Sequence, residues 1–295
     1  MDATAKTYYW AVGLTLLAAT CYALNSTFAA MSYSHGTDPL SVLTARSIVG
    51  TLGLFLLLKL KKAPLRLARG EFIAACGLAV LFTLAAFLIL SSFQFIPVAL
   101  AILIFYLFPL LTALGAWVFF REPLHPIFIV MLIAALAGLA LALGTGASDL
   151  DPKGAGLALG SAFVVALLML FNGRLVWGKD SRPYTLVIFA ATALIFIAAD
   201  VAVGRLALPV DAAGWGAFAG VAIAHSVAFI VMVMAVSMIG AVRVSLFLNF
   251  EPVATIAIGA LILGQILTPL QLLGATIVVT AVVIAGRQKL ATARG

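Results

Sequence analysis

The sequence predicts an all-α polytopic membrane protein with ten transmembrane helices, arranged as two inverted repeats of five. Three observations predict it. Of 295 residues, 65% are hydrophobic and 9% charged, with a mean hydropathy of +1.24; a soluble domain needs a far more charged surface. The apolar residues gather into ten runs, each near the roughly 20 residues that cross ~30 Å of hydrocarbon. The basic residues sit in the gaps between runs and alternate by side. The net charge of +7 therefore reports membrane topology rather than nucleic-acid binding.

The ten spans cover about 8–31, 40–60, 71–91, 97–119, 125–145, 154–176, 183–203, 212–236, 242–263 and 268–286. Span 1 is too long for a secretory leader, carries Asn25 and is followed by more apolar runs, so it reads as a retained helix. The breaks carry turn and charge signals, among them His35-Gly36-Thr37-Asp38-Pro39, Arg121-Glu122-Pro123 and Asp149-Leu150-Asp151-Pro152. Several prolines open the next helix, where the missing N–H costs nothing. Asp151, just before Pro152, reads as an N-cap rather than as half of a catalytic pair.

With the N-terminus in the cytoplasm, 14 Lys and Arg residues fall on the cytoplasmic side. Only Lys153 and Arg205 fall outside, and Arg46 lies within span 2. The expected location is the cell inner (plasma) membrane, with both termini cytoplasmic.

The chain also repeats itself. Pro109 and Pro252, Glu122 and Gln265, and Pro126 and Pro269 are all separated by one and the same offset in sequence. This divides the chain into a first repeat, 1–148, and a second, 149–295. Five spans per repeat is odd, so the repeats lie upside down relative to one another. Secondary transporters commonly use this plan, because two pseudo-symmetric halves can exchange conformations.

Two stretches carry a family resemblance. One runs from Val98-Ala99-Leu100-Ala101-Ile102-Leu103 through Pro109-Leu110-Leu111-Thr112-Ala113 to Arg121-Glu122. The other runs from Gly240-Ala241-Val242-Arg243-Val244-Ser245 through Asn249-Phe250-Glu251-Pro252-Val253 to Gly264-Gln265. Together they resemble the drug/metabolite transporter superfamily, EamA type. In that family the second repeat usually ends in Gly-Glu; Gln265 stands in the Glu place here, which weakens any carboxylate role there. Size and aromatic-rich helices resemble the aromatic and hydrophobic amino-acid exporters. The resemblance implies a cavity between the halves, walled mainly by spans 1, 3, 4, 6, 8 and 9, with spans 5 and 10 peripheral.

Polar groups in hydrocarbon need a partner or a cavity. The candidate substrate-binding residues are Tyr22, Asn25 and Phe28 in span 1, Phe82 in span 3, Tyr106 in span 4 and Asn172 in span 6. Span 8 adds His225 and Phe229, and span 9 adds Ser245 and Asn249. Asn172 sits near the place that Asn25 holds in the first half. His225 is the only histidine well inside a span, and Glu251 reads as the only carboxylate deep in one. Both are candidates for proton coupling, and both have structural alternatives: an interhelical hydrogen bond for His225, a pair with Arg243 or a cap near Pro252 for Glu251. An arginine at the place of Arg46 resembles a frequent feature of the family; it is expected to snorkel or pair, with substrate contact as the alternative. Pro109 and Pro252 should kink their helices and are candidate hinges. Tyr8, Tyr9, Trp10 and Trp177 read as interface aromatics. Gly156/Gly160 and Gly216/Gly220 form GxxxG pairs, and Ala134, Gly138 and Ala142 put a small stripe on span 5. That stripe packs internally or forms the seam of a homodimer through spans 5 and 10; otherwise the chain is a monomer.

No nucleotide-binding loop, metal cluster, catalytic motif or cofactor site is expected, and Cys21 and Cys76 read as small buried apolar residues. The expected function is export of small amphipathic metabolites, amino acids above all, through a lipid bilayer. Drugs, quaternary amines, nucleosides or vitamins are alternative cargoes. An intramembrane enzyme or a non-transporting scaffold are the alternatives of another class.

Overall fold

A computed structural model describes residues 3–63, 65–123, 126–143, 151–204, 206–263 and 268–292. The boundary between 148 and 149, Arg205 and Gln265 lie outside these residues. Twelve helices among the described residues make up the ten spans. They are α1 (Ala3–Ser34), α2 (Pro39–Leu60), α3 (Arg69–Ser92), α4 (Val98–Phe105), α5 (Phe108–Phe120), α6 (Pro126–Leu143), α7 (Pro152–Val176), α8 (Arg182–Val203), α9 (Ala212–Ile239), α10 (Ala241–Leu248), α11 (Phe250–Leu263) and α12 (Pro269–Thr292). Nine spans are long and apolar enough to cross a bilayer; the tenth, α12, has its described apolar stretch over Pro269–Ile284. The chain is an all-α polytopic membrane protein. Several helices outrun the apolar runs, because hydropathy marks the hydrocarbon while a helix continues into the interface.

Local chemistry sets the ends. Asp38 accepts from the Ser41 N–H at 2.9 Å, Asp151 from Lys153 at 2.7 Å, and Asp211 from Gly214 at 2.7 Å. These carboxylates satisfy donors that α2, α7 and α9 leave unpaired in their first turns.

Spans 4 and 9 are each broken in two. A proline cannot bond to the carbonyl four residues back, and its ring pushes that carbonyl away. For Pro109 that residue is Phe105, and for Pro252 it is Leu248, where α4 and α10 stop. The breaks share further chemistry. Asn249 donates through Nδ2 to the carbonyls of Leu246 and Ser245, covering acceptors the break frees. The Thr112 hydroxyl donates to the Phe108 carbonyl and the Thr255 hydroxyl to the Glu251 carbonyl, two bonds related by the same offset as the prolines.

The packing sorts spans 1–4 and 6–9 into two bundles that each mix both repeats. In one, α1 packs on α9, α10 and α11, and α2 packs on α9. In the other, α7 packs on α3, α4 and α5, and α3 on α8. An exchange of spans 1 with 6, 2 with 7, 3 with 8 and 4 with 9 turns one bundle into the other. The bundles touch where α2 meets α8, and α6 packs against α12 to one side. In that last pair the small stripe packs internally. A Cβ on Gly274 would collide with the Gly138 carbonyl, and one on Gly138 would lie 2.7 Å from the Gly274 carbonyl.

Three smaller expectations need correction. Tyr9, Trp10 and Trp177 are exposed, but Tyr8 is buried inside the first bundle. Of the GxxxG glycines, only Gly220 admits a tight neighbour, the Phe28 ring; Gly156 and Gly216 face open space. Cys21 and Cys76 are half-buried and free.

Candidate functional site

A cavity of about 380 Å³ lies between the two bundles. It runs from one end of the molecule, marked by Tyr33, Pro39 and Phe93, down to Leu248, Glu251 and Phe108 near the helix breaks. Its walls come from spans 1, 2, 3, 4, 6, 8 and 9. Span 2 is an addition to the expected set, and it brings Arg46.

The two walls differ in chemistry. The first bundle contributes Tyr22, Asn25, Ser26, Tyr33, Arg46, His225 and Glu251. The second contributes only aliphatic and aromatic side chains plus Ser161, whose hydroxyl is spent on the Ala85 carbonyl at 2.8 Å. The repeat offset pairs the walls residue by residue. Tyr22 answers to Val165, Asn25 to Leu168, Ser26 to Met169, His225 to Phe82, Phe229 to Ala86, Met232 to Ile89, Leu248 to Phe105 and Glu251 to Phe108. Both members of every pair line the cavity.

His225 is 4% exposed and sits in a cage of rings. It lies nearly parallel to Phe229, with centroids 6.3 Å apart and planes at 15°. Tyr22 stands edge-on at 5.6 Å, with Phe82 at 6.1 Å and Phe189 at 6.4 Å. Its Nδ1 is buried with no hydrogen-bond partner among the described residues, as are Asn25 Oδ1 and Arg46 Nε. The Arg46 guanidinium lies 5.7 Å from the Phe82 ring centroid, a cation–π distance. At the bottom, the buried Tyr106 lies beside Glu251.

The structure thus brings Tyr22, Asn25, Phe82, His225, Phe229 and Glu251 into one cavity, with Tyr106 just behind it. The other candidates are elsewhere. The Phe28 ring fills the space over Gly220 on α9. Asn172 is 2% exposed and off the cavity wall; under the repeat offset its partner is Ala29, and that of Asn25 is Leu168. Ser245 bonds the Val242 carbonyl of its own helix, and Asn249 is taken up by its break. Near the end of another span lies a second carboxylate. Asp200, late in α8, is 7% exposed and accepts from the Thr44 hydroxyl of α2 at 2.5 Å, joining the two bundles. Arg46 lies half-buried on the cavity wall and finds no anionic partner among the described residues.

The opposite end is closed. There Gly173 of α7 meets Ala241 and Val236, the Trp177 indole covers Gly240, and the Gly178 N–H donates to the Ser237 carbonyl at 3.1 Å. Gly240 has φ +84°, a conformation that favours glycine. A second pocket of about 700 Å³ adjoins this seam, lined by Glu122, Arg174 and Arg243 among others. Glu122 and Arg174 pair at 2.9 Å.

Each bundle carries an ion pair at one end. His35 and Asp211 join α1 to α9 at 2.8 Å by the cavity mouth. Lys179 and Glu71 join α7 to α3 at 2.8 Å at the closed end, and Tyr184 also donates to Glu71. The Glu71 carboxylate holds the Lys179 ammonium above its ordinary pKa. The Gly214 N–H, followed by His35, holds Asp211 below the usual carboxylate range.

Ten spans in two inverted sets around a cavity closed at one end define a polytopic membrane transporter. The chain belongs to the EamA-like transporter family, which it matches twice, over residues 9–144 and 152–287. The second match begins and ends at the repeat offset from the first. A solved crystal structure 20% identical in sequence is similar to it with a TM-score of 0.77, over 92% of this chain and 96% of that chain. No curated protein matches it.

Proposed function

We propose that the chain is a secondary transporter that exports small amphipathic metabolites, most of all amino acids with aromatic or hydrophobic side chains, by alternating access. One observation carries this reading: a cavity of about 380 Å³ with a charged, aromatic wall facing an apolar, aromatic one. That volume lies within the ~300–1,000 Å³ of small-molecule sites. A polar head has groups to meet on one side, and an apolar tail has a surface to bury on the other.

In this reading Tyr22, Asn25, Phe82, His225 and Phe229 contact the cargo. Glu251 meets an ammonium group or a proton, and His225 shares in proton coupling. Pro109 and Pro252, beside the two breaks, act as hinges. Phe28, Asn172, Ser245 and Asn249 shape the helices that hold the site. The charge-rich closed end faces the cytoplasm of a cell whose inner membrane holds the protein, and the cavity opens outward. Any homodimer through spans 5 and 10 uses their lipid-facing sides, because their small stripes already meet.

The aromatic cage and Glu251 also suit an organic cation of the quaternary-amine type. Flux assays in liposomes with purified protein decide between these cargoes. Amino-acid efflux is expected, and an imposed pH gradient will change its rate if protons drive the cycle. Folded protein that moves no compound in a broad panel would end the transport reading.

A further inference from the structure

Arg46 is the cation of the cavity, and among the described residues nothing anionic answers it. Four ion pairs are formed by other groups, and none includes Arg46. Its Nε is buried without a hydrogen-bond partner, and its guanidinium rests near the Phe82 face. The residue lies seven positions into α2, roughly 10 Å along the helix axis, and its half-buried side chain lines the cavity. An ionisable residue without a counter-charge inside a span marks a pathway or a site. The neighbouring groups on this wall do not compensate it. Asn25 offers only a neutral amide, and its buried Oδ1 is likewise unpartnered. Glu251 lies at the bottom of the cavity against Tyr106.

We infer that Arg46 binds a carboxylate of the transported molecule, so that a free carboxylate is a requirement for transport. The planar guanidinium matches a carboxylate with two parallel N–H···O bonds, a match that a lysine does not reproduce. Arg46 itself supplies the need for an anion. The cargo's ammonium group then meets the acceptors of the same wall, Asn25 Oδ1 and Glu251, and its side chain faces the apolar wall. An amine or amide of the same size leaves Arg46 unpaired and is rejected.

This inference rests on the transport reading, and one experiment separates the two. Purified protein in liposomes is offered the common amino acids with apolar and aromatic side chains, each beside its C-terminal amide and its decarboxylated amine. Wild type is expected to move at least one acid ten-fold or more faster than its amide and amine. Arg46→Gln is expected to lose that preference by slowing the acid alone, and Arg46→Lys to keep a minor part of it. Thermal stabilisation of the wild-type protein by acid but not amide gives the same answer without any variant. Equal transport of amide and acid, or a preference unchanged in Arg46→Gln, overturns the inference and leaves transport standing. No movement of any compound by folded protein overturns both.

Discussion

The two walls of the cavity occupy equivalent places in an inverted repeat and do opposite jobs. His225 on α9 and Phe82 on α3 are equivalent under the repeat offset, and their rings lie 6.1 Å apart. Glu251 and Phe108, and Asn25 and Leu168, are equivalent in the same way. The backbone plan is shared: the same proline-induced breaks, the same threonine hydroxyls bonded back into the following helix. What differs is the side chain at each paired site. Inverted repeats secure two interchangeable shapes, while the site's chemistry needs the symmetry broken. Because each bundle mixes both repeats, the polar wall draws on both copies: Tyr22, Asn25 and Arg46 from the first, His225 and Glu251 from the second.

This contrast can be broken by mutation. The largest effect is expected from Glu251→Ala and His225→Ala on the polar wall. A charged hydrogen bond is worth about 1.5–3 kcal/mol, so flux of the preferred cargo should fall by roughly ten-fold or more. Thermal melting should move by only a few degrees. Val165→Ala on the opposite wall should keep flux within about two-fold, since it removes apolar contact alone. Equal losses on the two walls would erase the division.

A sharper version exchanges equivalents. Phe82→His combined with His225→Phe returns an imidazole to the cavity from the other bundle. The double variant should recover several-fold more flux than His225→Phe alone, measured in the same liposomes. No recovery would mean that the imidazole is useful only on α9, beside Tyr22.

The ten spans were legible because hydrophobicity and charge are written residue by residue. The breaks at Tyr106 and Asn249 were not, although Pro109 and Pro252 were visible. A proline predicts a bend, and that the helix stops outright at the residue four back is seen only in the structure. For the site, Tyr22, Asn25, Phe82, His225, Phe229 and Glu251 share the cavity. Ser245 and Asn249 carry the same polarity signal but satisfy it within their own helix, which a sequence does not distinguish. Asn172 looked equivalent to Asn25 because both are asparagines, yet it lies one helical turn past the true counterpart, Leu168. An arginine in a span calls for a partner, and only the geometry reveals that Arg46 has an aromatic ring and no anion beside it among the described residues.

The closed end gives a smaller, structural test. Gly240 has φ +84° and its missing Cβ would meet the Trp177 ring at 3.1 Å. Gly240→Ala should therefore cost roughly 1–3 kcal/mol, read as a lowered melting temperature, with faster leakage of cargo through that end.

The smallest expected effect belongs to the ion pair at the cavity mouth. Asp211 titrates below the usual carboxylate range because Gly214 and His35 bond its charged form. Its folded value is depressed, so its stabilising effect is complete above the ordinary value near about pH 4. That effect is lost as pH falls through the lowered value. Melting curves of wild type and Asp211→Asn should differ most at neutral pH and converge below about pH 4. A gap independent of pH would show that the residue acts by shape.

The closed seam is also a drawing of how the open end would shut. Carried across by the repeat offset, Gly173, Trp177, Gly178 and Gly240 become Ala30, Ser34, His35 and Pro97. The plug on one side of the membrane is an indole, and its counterpart on the other is a serine hydroxyl. One seal is thick and apolar, the other thin and wettable. The end with the weaker stopper is the one this structure shows open.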